Sequence, residues 1–185
     1  YLIRRYVSDQ SDYETLYSIT DRAEGDPAFI FNVTMQNHSS YAQGWNNLEK
    51  TITLPTEQRT ADTTAEQYLS LMRASDDALR DLIAHYEQSP EPTMIVFFGD
   101  HQPPLKNAFY EQLYGKPLDQ RTTEEVLKQY ATPFFLWTNY DIQEREDVVL
   151  SPNYLGVLTA KAAGLPLTGF MSFLSQLYEE LPVIT

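Results

Sequence analysis

Two short stretches of this chain carry residue types suited to chemistry at a charged centre. Asp100 and His101 stand side by side directly after Gly99, and His38 follows Gln36-Asn37. A carboxylate and an imidazole offer a hard oxygen and a nitrogen to one divalent cation, so Asp100 and His101 are candidate metal ligands. The plainer reading has Asp100 capping a turn with His101 packed against it. Two ligands do not complete a coordination shell, and no other acidic or histidine cluster stands out in the sequence. His38 is open to three chemical roles: a third ligand, a general acid, or a cation on a substrate phosphate. It would equally serve as a histidine hydrogen-bonded within its loop. Asn37 would orient it or donate to an oxyanion. His85 falls near the end of a long predicted helix, where a histidine suits the helix dipole, and reads as structural. Tyr41 and Trp45 either line a cleft or anchor the loop they occupy.

The elements that must hold these residues follow from hydrophobic patterning. Met94-Ile95-Val96-Phe97-Phe98 is an apolar run stopped by Gly99, which predicts a buried strand, parallel to its neighbours and covered on both faces. Ala28 to Thr34 is a second strand candidate and Pro133 to Thr138 a third. Ligands of open α/β sheets bind beyond the carboxyl ends of such strands. If the first two strands are parallel neighbours, His38 and His101 meet at one sheet edge. Helices are predicted from a Ser11/Glu14 capping box towards Thr20, and from Thr63/Glu66 through a stripe of Leu71, Ser75, Leu79, Leu82, Ile83 and Tyr86. Further helices run from Thr122 to about Tyr130, from Ser151-Pro152 to Gly164, and from Phe170 to Leu181. The order of elements predicts an α/β fold, a largely parallel sheet with helices on both faces. Residues 41–60 and the segment after Pro103-Pro104 read as irregular.

Composition narrows the function classes. The 185 residues suffice for one domain, and 42% hydrophobic with 13% aromatic residues describes a packed core. A net charge of -13 disfavours nucleic acid and anionic headgroups as direct partners. With no cysteine, disulfides and thiol nucleophiles are excluded. There is no Gly-x-Ser-x-Gly elbow, P-loop or dinucleotide fingerprint, and no Ser or Thr stands at a strand-to-helix turn beside an acidic residue. The nucleophile of any displacement reaction is therefore expected outside this sequence.

Three stretches resemble the sulfatase-like branch of the alkaline phosphatase superfamily, and more narrowly the lipoteichoic acid synthase and phosphoglycerol transferase group. They are Phe29-Ile30-Phe31-Asn32-Val33-Thr34-Met35-Gln36-Asn37-His38, Phe97-Phe98-Gly99-Asp100-His101-Gln102-Pro103, and Thr132-Pro133-Phe134-Phe135-Leu136-Trp137. The tail from Asn153 to Leu174 is similar to the family's closing helices. The resemblance implies an alkaline-phosphatase-like fold, incomplete here. It also implies that Asp100 and His101 bind a divalent cation, with Mn²⁺ expected and Mg²⁺, Ca²⁺ or Zn²⁺ as alternatives. It gives His38 the substrate's phosphoglycerol group or leaving-group assistance, and it implies a threonine nucleophile further towards the N-terminus. Ser40 stands where the family commonly has proline, a departure that bears on substrate more than on fold.

On this resemblance, residues 1–185 are expected to be the C-terminal half of one extracellular catalytic domain. The parent would be held in a bacterial cell membrane through an N-terminal segment absent from the sequence. Its expected reaction is attack on a lipid-linked phosphoglycerol donor of the phosphatidylglycerol type, followed by transfer to a glycan or polymer acceptor in cell-envelope synthesis. The piece alone is expected to be inactive and to bind metal weakly, and an incomplete sheet invites self-association. Two alternatives remain: a sulfatase or phosphodiesterase hydrolase of the same superfamily, and a non-catalytic envelope-binding module.

Overall fold

The computed structural model describes residues 1–22, 26–42 and 44–184. They divide into two compact units, residues 1–88 with 99–132 and residues 89–98 with 133–185.

The first unit opens with an antiparallel hairpin, β1 (Leu2–Ile3) and β2 (Tyr6–Val7), turned by Arg4-Arg5. Arg4 sits at φ 55, a left-handed conformation that costs a non-glycine residue about 1 kcal/mol. Helix α1 (Asp9–Thr20) has its cap three residues before the predicted one, because the Ser8 hydroxyl accepts the Ser11 backbone N–H at 3.1 Å. Ser8 leaves β2 with extended dihedrals, which is the geometry an N-cap needs. Residues 56–61 form a short helix, α2 (Thr56–Ala61), inside the segment expected to be irregular.

Helix α3 (Ala65–Glu87) realises the predicted stripe. Leu71, Ser75, Ala78, Leu82 and Tyr86 are buried, with Leu79 and Ile83 half-buried beside them. Asp62 braces the residue before the helix start, Oδ1 accepting the Thr64 N–H at 2.8 Å and the Thr64 hydroxyl at 2.6 Å. Asp62 Oδ2 accepts the Lys106 N–H at 2.7 Å, immediately before α4 (Asn107–Tyr114), a helix missing from the sequence reading. One buried carboxylate thus joins the starts of two helices. Helix α5 (Thr123–Lys128) begins after the predicted Thr122, which forms a capping box with Glu125. The unit's core gathers Ile3, Tyr41, Ala65, Leu71, Leu105 and Phe109.

The second unit pairs β3 (Met94–Phe98) with β4 (Phe134–Thr138), in the register Met94↔Thr138 to Phe98↔Phe134. Phe97 stacks on Phe135 with centroids 5.5 Å apart. Ser151 and Pro152 open a 3₁₀ turn leading into α6 (Leu155–Ala162), and α7 (Gly169–Glu180) follows. Gly164 takes φ 66 after α6, as a helix-ending glycine does. The Ser151 hydroxyl caps no helix; it accepts the Ile184 N–H at 2.7 Å.

Two expectations are corrected. Both strand pairs among the described residues are antiparallel, and β3 is half-buried rather than covered on both faces. An apolar run calls for burial, but its side-chain pattern does not encode the direction of the partner strand. Residues 28–34 form no strand, and Phe29, Phe31 and Val33 are exposed, Phe29 to 90%. A strand exists by pairing, and this run has no ladder partner among the described residues. No helix of the described residues is long and apolar enough to cross a membrane.

Candidate functional site

The loop bearing His38 is held by backbone and side-chain bonds at every residue. Arg4, 4% exposed, donates to three of its carbonyls: Gln36 O at 2.7 Å, His38 O at 2.6 Å and Ser40 O at 2.8 Å. Asn37 O accepts the Tyr41 hydroxyl at 2.8 Å, and Ser39 O accepts the Tyr6 hydroxyl at 3.3 Å. All five carbonyls from Gln36 to Ser40 are therefore engaged. Burying a guanidinium costs several kcal/mol, and charge-assisted bonds of about 1.5–3 kcal/mol each offset it. The Tyr6 and Tyr41 rings each lie 5.4 Å from the guanidinium carbon and add cation–π attraction. Burial lowers the Arg4 pKa from its ordinary value.

Beneath the loop, one hydroxyl organises three side chains. Ser75 Oγ accepts Gln36 Nε2 at 3.0 Å and Asn37 Nδ2 at 2.8 Å, and donates to Asp9 Oδ2 in a short hydrogen bond. Gln36 is 1% exposed, and its Oε1 accepts the Asp9 N–H at 3.0 Å. Burial pushes the Asp9 carboxyl up to about 6, against the Ser75 bond that lowers it. Asn37 is thus an anchor of the loop, not a free donor.

With the loop tied down, the His38 ring projects into solvent. Its Nδ1 lies 2.9 Å from Ser39 O and 3.1 Å from the Tyr6 hydroxyl. A carbonyl oxygen only accepts, so Nδ1 carries the proton and Nε2 is the open nitrogen.

His101 repeats this arrangement. Its Nδ1 is 3.0 Å from Gln102 O, so Nδ1–H donates and Nε2 faces Asp100 Oδ2 at 3.4 Å. Asp100 Oδ1 accepts the His101 backbone N–H at 2.9 Å, which fixes the carboxylate beside the ring. Both side chains are open to solvent, Asp100 at 84% and His101 at 70%. These residues fit a divalent cation. An imidazole whose Nδ1–H is bound to a backbone carbonyl is the common metal-ligating form. Two ligand atoms of one tetrahedral cation stand about 3.4 Å apart, which is the separation seen here. Among the described residues no group of three His, Asp or Glu side chains comes together.

Gly99 positions the pair from the other side. A Cβ on it would lie 3.1 Å from Thr132 Cβ, and the Thr132 hydroxyl donates to Gly99 O at 2.8 Å. Gln102 Nε2 donates to Ala131 O, and Tyr110 donates to Pro103 O at 2.7 Å.

No hydrogen bond or ion pair joins His38 to Asp100 or His101 among the described residues. Tyr41 packs against Arg4 and donates its hydroxyl to Asn37 O in the His38 loop. Burial first, then Tyr68 and, less strongly, Asp100 push the Tyr41 phenol up to about 12. Tyr41 is a core residue, so it anchors the loop instead of lining a cleft. Trp45 is half-buried, with its indole N–H enclosed and without a hydrogen-bond partner among the described residues. His85 stacks on Tyr17 at 3.8 Å, as suits a structural histidine. Sequence reasoning missed Arg4 and Tyr6, which lie more than thirty residues before the histidine they support. The only signal was an Arg-Arg pair set between apolar and aromatic residues.

The family model described as Sulfatase matches residues 2–165. Two curated proteins of Rhizobium meliloti (strain 1021) are similar. "Putative cyclic beta-1,2-glucan modification protein" is 28% identical over 185 residues, covering 97% of this chain and 28% of the relative. "Capsular polysaccharide biosynthesis protein RkpI" is 31% identical over 103 residues, covering 55% of this chain and 17% of the relative. The chain therefore spans under a third of the length of either relative. The fold is similar to that of Streptococcus pyogenes phosphoglycerol transferase GacH, solved in complex with sn-glycerol-1-phosphate. That match has a TM-score of 0.69 and 17% identity over 99% of this chain and 44% of the other. With the family model spanning nearly its whole length, this chain belongs to the Sulfatase family, in the sulfatase-like branch of the alkaline phosphatase superfamily.

Proposed function

We propose that this chain supplies one wall of a metal-dependent phosphoglycerol transferase site, in which Asp100 and His101 hold a divalent cation and His38 serves the substrate phosphate. The observation that carries this reading is the facing pair of Asp100 Oδ2 and His101 Nε2, with Nδ1–H bound to Gln102 O. Asp100 and His101 would hold the ion, Mn²⁺ by the resemblance, and it would supply charge stabilisation at the phosphoryl oxygens. The nucleophile is read as a threonine hydroxyl in a part of the parent outside this sequence.

The work of His38 follows from its open Nε2. The threonine hydroxyl gives up its proton to solvent, and its oxygen bonds to phosphorus as the bond from phosphorus to the lipid glycerol oxygen breaks. Protonated His38 gives its Nε2 proton to that departing oxygen. Neutral His38 then accepts the proton of an acceptor hydroxyl as this oxygen bonds to phosphorus, the bond from phosphorus to the threonine oxygen breaks, and that oxygen takes a proton back from solvent. Throughout, Nδ1–H stays on Ser39 O, so the ring keeps its direction.

The acceptor is read as a glycan hydroxyl. The relative aligned along almost the whole chain is named for cyclic beta-1,2-glucan modification, and the fold-matched structure is a phosphoglycerol transferase. An extracytoplasmic, membrane-held parent remains part of the proposal.

The test is transfer of glycerophosphate from a phosphatidylglycerol-type donor to a glucan by the complete parent protein. Asp100→Ala should lower Mn²⁺-dependent turnover by about a thousandfold or more, as loss of several kcal/mol of transition-state stabilisation requires. Activity within a few-fold of the unaltered protein would sink the assignment. Release of free glycerophosphate with no transfer to any glycan would instead favour a hydrolase.

A further inference from the structure

We infer that Arg4 and Tyr6 are positioning residues for His38: they fix its loop and its tautomer so that Nε2 is the ring atom offered to substrate. The inference rests on the reading of His38 given above and adds how the chain prepares it. A loop with an exposed catalytic imidazole has two freedoms that matter, the path of its backbone and the identity of the protonated nitrogen.

Arg4 removes the first. Its guanidinium bridges the carbonyls of residues 36, 38 and 40, alternate residues along one short segment. A planar fork with fixed N–H directions holds three oxygens in one arrangement, which a flexible ammonium would not do. The left-handed φ of 55 at Arg4 turns the hairpin and places this side chain under the loop.

Tyr6 and Ser39 O remove the second freedom. Ser39 O can only accept, so it draws the proton to His38 Nδ1. The Tyr6 hydroxyl donates to the same carbonyl at 3.3 Å and accepts Arg5 Nη2 at 2.9 Å. It therefore turns a lone pair, not a proton, towards Nδ1 at 3.1 Å. Two acceptors face Nδ1 and none of the described hydrogen bonds reaches Nε2. The Tyr6 ring, 5.7 Å from the imidazole, adds a wall that limits its rotation.

The test is the tautomeric state of His38, read by long-range ¹H–¹⁵N correlation on the ¹⁵N-labelled 185-residue chain. Only three histidines contribute, and His85, stacked on Tyr17, reports whether the fold is kept. Unaltered protein should show His38 almost wholly as the Nδ1–H form when neutral. Tyr6→Phe keeps the ring and removes the hydroxyl, and should lower the Nδ1–H fraction with His85 unchanged. Arg4→Met should lower it further by releasing the carbonyls; if that variant does not fold, Tyr6→Phe decides. A dominant Nε2–H form in the unaltered protein overturns the inference. So does a folded Tyr6→Phe variant whose His38 nitrogens are unmoved. Because this readout involves neither metal nor turnover, its failure leaves the Asp100–His101 proposal standing, and the reverse also holds.

Discussion

Asp9 makes the support of the His38 loop sensitive to pH. The residue is 2% exposed, Oδ2 accepts the Ser75 hydroxyl, and Oδ1 has no hydrogen-bond partner among the described residues. Burial raises the carboxyl from 3.8 to about 6, opposed by the Ser75 bond and reinforced by Asp12. The folded state therefore binds this proton more tightly than the unfolded chain does. Stability from Asp9 is fully present below pH 3.8 and is lost as pH rises through about 6. The whole effect is about 3 kcal/mol, of which about 1.4 kcal/mol falls between pH 5 and pH 7.5. The carboxyls held below their ordinary values, Asp62, Glu66, Asp77 and Glu125, contribute alike to the unaltered chain and to an Asp9 variant. Urea unfolding of the unaltered chain and of Asp9→Asn at both pH values isolates the group, because contributions common to both proteins cancel. The unaltered chain should lose about 1.4 kcal/mol relative to Asp9→Asn on going from pH 5 to 7.5. A difference between the two proteins that does not change with pH, or changes with the opposite sign, would refute the reasoning.

Two further substitutions test the frame around the candidate ligands. Asp62→Ala removes three hydrogen bonds at the starts of α3 and α4 and should cost about 2–4 kcal/mol in urea unfolding; a loss below about 0.5 kcal/mol would show that those helix starts are held otherwise. Gly99→Ala places a Cβ 3.1 Å from a threonine already bonded to the Gly99 carbonyl, and should cost about 1 kcal/mol or more. A stabilised Gly99→Ala variant, read by thermal unfolding, would mean Thr132 yields freely.

The parts of the fold written in local pattern were legible in the sequence. The stripe of α3, the Thr122/Glu125 box of α5, the β3 and β4 segments and the helix ended by Gly164 each depend on residues within a few positions of one another. Helix α4 was hidden by its eight-residue length behind Pro103-Pro104, and the hairpin by strands of two residues each. The parallel sheet was an inference from element order, and residues 28–34 show its limit: an apolar run states what must be buried, not what will cover it. Among the candidate residues, the Asp100–His101 pair was legible because its partners are adjacent. The clamp on His38 was not, because Arg4 and Tyr6 meet it only through the fold, as Ser75 on α3 meets Gln36 and Asn37.

The central claim is that Asp100 and His101 are ligands of one divalent cation. Anomalous scattering from crystals of the complete parent protein grown with Mn²⁺ tests it most directly. A peak is expected within about 2.3 Å of both Asp100 Oδ2 and His101 Nε2, the reach of oxygen and nitrogen ligands. A fully occupied Mn²⁺ site that touches neither residue would contradict it.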